Sequence, residues 1–283
     1  MIKAFLFISR IYSKILKLLI GSLIYSRMEE SAKEFKEMFN KKGQIVLISV
    51  CLLTVAYWFL ALWYTNKSGY TKNLVVFYAI FGPLFNYHPW LDFWQYIYQF
   101  LMTVLFFFII PVLIVKYYFN EDFREYGLKL GKKKTGLILM ALGVVLVFLL
   151  ASFTCQDSIL NSEYPLSKLI GRSWAIFIFY EAVYFFYFFA YEYMMRGYLQ
   201  WGLKRENTTF KGIVVILILQ TVITTLFHIG KPMTEILAAL AIGPVFGYIC
   251  LKLDSIWYVI IWHYMLNIFQ DLFILSYLGM LPS

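Results

Sequence analysis

Five polar side chains fall inside three apolar stretches: Glu192 and Arg196 in one, His228 at the end of the next, and His263 with Asn267 in the last. An ionisable group among apolar neighbours is costly unless paired, so such positions read first as a functional site. Glu192 and Arg196 are spaced i, i+4 and share a helix face. They read either as an ion pair that locks this helix to its neighbours or as part of a site. Glu181 lies eleven residues earlier on nearly the same face, about 16 Å along the axis, where it could line the same cavity or a path to it. His228 is followed by Gly230 and Pro232, which signal a helix end; alone it reads equally as an interfacial histidine in reach of water. His263 and Asn267 again share a face at i, i+4, and the bland reading is interhelical hydrogen bonding.

Together, a carboxylate, two imidazoles and a carboxamide supply a general base for water, a second proton carrier and donors for a developing oxyanion. That inventory points to a hydrolase. The chain holds no GxSxG, no HExxH and no Cys beside a His, so serine, zinc-helix and cysteine mechanisms lack support. Gly127 to Thr135 has glycines and lysines but not the spacing of a phosphate loop. No cofactor is expected.

The elements that must position these groups are membrane helices. The 283 residues are 61% hydrophobic and only 14% charged, with a mean hydropathy of +0.71, whereas a soluble domain carries about 25% charged residues. Apolar runs at 44–65, 95–119, 136–153, 173–202, 212–229, 235–251 and 255–277 are each long enough to cross a hydrocarbon core, at about 20 residues per span. A weaker run at 74–87, broken by Gly82 and Pro83, reads as a short or re-entrant segment or an interfacial loop. The expected fold is an all-α polytopic bundle of seven to eight transmembrane helices. Met1 to Ile24 carries Arg10, Lys14 and Lys17 on one helical face, which favours a retained interfacial amphipathic helix over a cleaved signal peptide. We divide the chain into a charged N-terminal segment (1–43), a first group of spans (44–172) and a helical core with the polar residues (173–283).

The net charge of +9 is spread over short loops, which excludes a nucleic-acid patch and fits the positive-inside rule. Lys33 to Lys42, Lys129 to Lys134 and Lys204 to Lys211 then face the cytoplasm and loop 154–172 the outside. Cys51, Cys155 and Cys250 have neither CxxC spacing nor disulfide pattern.

At the polar residues the sequence resembles the CPBP family of intramembrane proteases, which includes the type II CAAX prenyl endopeptidases and bacteriocin-processing or immunity proteins. Its pattern is EExxxR, then FxxxH, then HxxxN or HxxxD. Glu192 and Arg196 match the first motif, His228 the second, and His263 with Asn267 the third, within roughly Trp174 to Tyr277. Two positions depart: Tyr191 stands where the family has its first Glu, the residue usually assigned to activate water, and Thr224 where it has Phe. The resemblance implies an endopeptidase acting on a membrane-associated protein or peptide without a tightly bound metal, with Glu192 and His228 activating water and His263 and Asn267 holding the carbonyl oxygen. Tyr191, with a phenol of reference pKa about 10, could donate a hydrogen bond but not act as a base. The competing expectation is an inactive relative that binds membrane proteins as an immunity or regulatory factor. A transporter would also break helices as at Gly243-Pro244, but no internal repeat accompanies that break. A bacterial inner membrane is the expected location.

Overall fold

The structure is a computed structural model that describes residues 31–62, 64–67, 71–206 and 208–283. The expected amphipathic helix at the N-terminus lies outside the described residues. Among the described residues, seven helices are long and apolar enough to cross a membrane: α1 (Lys41–Leu62), α3 (Leu91–Tyr118), α4 (Lys133–Thr154), α5 (Trp174–Leu203), α6 (Phe210–Phe227), α7 (Met233–Leu253) and α8 (Trp257–Tyr277). A shorter helix, α2 (Val75–Leu84), fills the weak apolar run; at about 15 Å it is too short to span. Before it runs an antiparallel hairpin, Tyr64–Lys67 against Thr71–Leu74, with Tyr64 opposite Leu74. The hairpin is an addition to the expected all-helical bundle. It is tied to α3 by Gln95, whose Oε1 accepts from the Leu74 amide at 3.1 Å.

Sequence sets the helix ends by familiar chemistry. The Asn40 side chain caps α1 by accepting from Gly43 N, and Ser173 caps α5 by accepting from Ile176 N. Asp254 takes a left-handed conformation, φ 57°, to end α7. Outward faces are apolar, as lipid demands: Leu142, Leu146 and Phe153 of α4 are exposed, Phe153 by 81%. The chain is an integral membrane protein.

The basic clusters gather at one end of the bundle. There Lys42 Nζ donates to Glu121 at 2.6 and 2.7 Å, the Tyr126 hydroxyl adds a bond of 2.6 Å to the same carboxylate, and Arg205 donates to Asn40 Oδ1 at 3.0 Å. Burial acts to raise Glu121, yet the bonds from Lys42 and Tyr126 hold it below the usual carboxylate range. The opposite end is tied by Lys231 to Glu163 at 2.7 Å and by the Tyr164 hydroxyl to Glu235 at 2.9 Å.

Packing of α8 on α4 orients the site. Gly136 faces the Tyr258 ring and Gly143 the Trp262 indole, so closely that a Cβ at either glycine would overlap the ring. Small residues let the backbones approach in lipid, and hydrogen bonds then fix the rotation of α8. Trp257 Nε1 donates to Leu128 O at 2.7 Å, Tyr258 Oη to Leu130 O at 2.7 Å and Trp262 Nε1 to Met140 O at 2.9 Å. His263, next to Trp262, consequently faces α5. Gly143→Val should therefore cost about 1–3 kcal/mol by overpacking, read as a lower Tm in detergent; an unchanged Tm would show that Trp262 can move aside freely.

Candidate active site

Helix α5 is α-helical from Trp174 to Glu192 and widens into a π-helical stretch from Tyr193 to Leu199. Such widened turns recur at functional sites. All seven residues of the stretch are buried, and Gly197 lets it approach the Tyr126 carbonyl, from which a Cβ would lie only 2.7 Å away.

Glu192 and Arg196 form the expected pair, at 0% and 2% exposure. Arg196 Nη1 lies 3.1 Å from Oε1 and 3.0 Å from Oε2, and the guanidinium sits 5.7 Å and 6.0 Å from the centroids of the Tyr191 and Phe246 rings. Two aromatic faces thus take the place of water around a buried cation. The same carboxylate reaches α8, where His263 Nδ1 lies 2.6 Å from Glu192 Oε1. Beside Arg196 the carboxylate is an acceptor, so the bond places a proton on His263 Nδ1 and leaves Nε2 as the working nitrogen. The His263 side chain is 25% exposed while that of Glu192 is wholly enclosed. The imidazole, not the carboxylate, faces outward from the pair.

His228 follows the last residue of α6, with Gly230 at φ 91° beyond it. Its Nδ1 is 2.8 Å from the Thr224 carbonyl. A carbonyl only accepts, so the proton sits on Nδ1 and Nε2 carries a lone pair. His228 lies within electrostatic reach of His263 and Arg196. A count along the helix from Lys211 places it too far from that basic end to meet the other groups, and the structure resolves the difference. Gln220 meets Gln200 at 3.1 Å, one turn short of the end of α5, so about 10 Å of the preceding part of α6 extends past that end. The remainder brings His228 level with the site.

Asn267 does not join His263 at the Glu192 carboxylate. It lies one turn along α8, adjoining Glu181, so the shared face expected from i, i+4 spacing is present while the partners differ. Tyr191, 3% exposed, lies against Thr224 and Arg196, with its ring 5.9 Å from those of Phe227 and His263. The two departures from the family pattern are therefore neighbours across α5 and α6. Asp271 is a member of this polar stripe that the motif pattern does not include, although it continues His263 and Asn267 by one more i+4 step. Among the described residues, no group of three or more His, Cys, Asp or Glu side chains is placed to hold a metal ion.

A polytopic helical membrane protein with a buried Glu–Arg–His cluster shared by two spans is the class these features define. Residues 172–269, about a third of the chain, match the family model described as type II CAAX prenyl endopeptidase Rce1-like, and this segment is similar to that family. The matched segment contains every one of the motif residues from Tyr191 to Asn267 and stops short of Asp271. No curated relative and no solved structure matches the chain.

Proposed function

We propose that the chain is an intramembrane endopeptidase that hydrolyses a peptide bond of a membrane-associated protein or peptide. The observation that carries this reading is the complementary fixing of two imidazoles, His228 by the Thr224 carbonyl and His263 by the Glu192 carboxylate. In its neutral form, His228 offers a lone pair at Nε2 and serves as the base. It takes a proton from water, the resulting hydroxide adds to the scissile carbonyl carbon, and the proton passes to the leaving amine. His263, oriented through Nδ1 by Glu192, turns Nε2 toward the oxyanion. Glu192 thereby acts through His263 and not on water, a role different from the one the family resemblance implied. Arg196 pairs with Glu192, and the Tyr191 ring packs against the guanidinium.

A second reading, an inactive family member that binds membrane proteins or peptides, is favoured by Tyr191 at the first motif position and by the complete enclosure of Glu192. One experiment separates the two. The purified protein in lipid vesicles is incubated with a membrane-protein library and new termini are read by mass spectrometry, beside Tyr191→Glu and His263→Gln. Wild-type cleavage that disappears in His263→Gln is the expected result. Cleavage only after Tyr191→Glu would replace the endopeptidase reading with the binding one.

A further inference from the structure

Helix α8 carries His263, Asn267 and Asp271 at i, i+4 and i+8, so Asp271 lies about 12 Å along the axis from His263, toward the end away from the basic clusters. Asp271 is 0% exposed and Glu181 of α5 is 4% exposed. Their carboxyl groups are in hydrogen-bonding contact, yet none of the four oxygens has a donor in good geometry. Asn267 adjoins Glu181, is 8% exposed, and its Nδ2 likewise lacks a partner. Two bare carboxylates in contact out of water would repel, and only Asn267 and the Lys168 ammonium act against their desolvation. One proton between them turns an acceptor–acceptor contact into a short O–H···O⁻ bond.

The groups facing the pair are Tyr180 and Tyr184 from α5, Tyr264 from α8 and Lys168 from the loop between α4 and α5. Lys168 alone among them is a cation. It donates to the Asn161 carbonyl at 3.0 Å and to that of Tyr164. It also lines a cavity of about 660 Å³ at this end of the bundle, together with Asp92, Tyr96 and Arg172. Burial pulls the Lys168 ammonium down to about 8, against the attraction of Asp271, Glu163 and Asp92, so it exchanges protons with water near neutrality. It thus lines the cavity while lying within electrostatic reach of Asp271.

We propose that Glu181 and Asp271 form a proton-binding site, holding one proton between them, loaded from the end cavity by way of Lys168, and setting the pH dependence of the site at Glu192. In the loading step the Lys168 ammonium gives its proton to the pair and regains one from water in the cavity. The last clause rests on the proposed hydrolysis; the shared proton and its route do not.

Infrared spectroscopy of the full chain in lipid vesicles tests the site without any substrate. The expected result is a protonated carboxyl band at neutral pH that is absent from the double variant Glu181→Gln/Asp271→Asn. Lys168→Met should keep the band and slow its exchange into deuterated buffer by about tenfold or more, since the relay must then cross unassisted. No band in the wild type, or a band that survives the double variant, would overturn the shared proton; unchanged exchange in Lys168→Met would overturn the route. With cleavage in hand, Asp271→Asn should move the pH–rate profile by about one unit with KM retained. An unmoved profile overturns the link to the site while the infrared result stands. Absence of cleavage in the wild type overturns that link together with the hydrolysis, and the infrared bands still decide the carboxyl pair.

Discussion

Glu192→Gln should lower the unfolding free energy by about 3–5 kcal/mol, because it strands a cation that has almost no access to water. Arg196 is 2% exposed, and among the described residues its carboxylate partner is Glu192 at 3.0 Å. The amide keeps the shape of the side chain but not its charge, and it also weakens the bond to His263 at 2.6 Å. Two aromatic faces at 5.7 and 6.0 Å remain, and cation–π attraction of about 2 kcal/mol when desolvated offsets only part of the loss. Removing both charges should behave differently. Glu192→Met/Arg196→Met leaves no isolated ion, and buried pairs replaced by apolar side chains of similar volume are often neutral in stability. Stability should therefore return in the double variant while cleavage does not, since His263 has lost the group that fixes its proton. Thermal or detergent-driven unfolding of the purified variants measures this. A loss below about 1 kcal/mol for the single variant would mean that water reaches Arg196 and that the pair behaves as a surface one.

That contrast separates the two roles that spacing alone left open for the pair. A structural lock predicts that stability and activity recover together when both charges go; a site predicts that only stability does. The geometry already favours the second outcome, because the carboxylate bonds across to another span and not only along its own helix.

How far the sequence reached depended on whether a feature was periodic. The seven spans were legible because long apolar runs admit few other structures, and the helix α6 end was legible at Gly230 and Pro232. The faces shared by Glu192 with Arg196 and by His263 with Asn267 followed from i, i+4 spacing. Which of these faces met which did not follow, since it depends on the rotation of α8 against α4 at Gly136 and Gly143. The π-helical stretch after Glu192 leaves no mark in a run of Tyr, Met and Arg, and the polar hairpin at 64–74 carries no hydropathy signal. Asp271 was within reach: a third polar residue on the same face of an apolar run is as expensive as the first two. The depth of His228 escapes a count from the basic end because α6 begins well outside the level where α5 stops.

His228→Ala should reduce the rate of peptide cleavage by about 10²–10⁴-fold, the usual contribution of a positioned general base, with the fold intact. The imidazole is at a helix end, partly exposed, and bonded to the Thr224 carbonyl at 2.8 Å, a group that has other means of satisfaction at a helix C-terminus. Loss of the side chain thus leaves no buried charge and no large void. The effect should fall on kcat, because water activation is felt in the transition state and not in substrate binding. Tyr191→Glu makes the assignment sharper. A carboxylate at 191 would face Arg196 and Thr224, beside His263, and supplies the base that the family motif has at that position. If His228 works as the base in the wild type, Tyr191→Glu added to His228→Ala should restore part of the lost rate. If His228 only fills the end of α6, the single variant should retain more than about a tenth of wild-type activity, well above what loss of a base allows, and the added carboxylate should change little. Single-turnover cleavage by the four proteins, wild type included, decides between these outcomes, because it reads the chemical step apart from binding and product release.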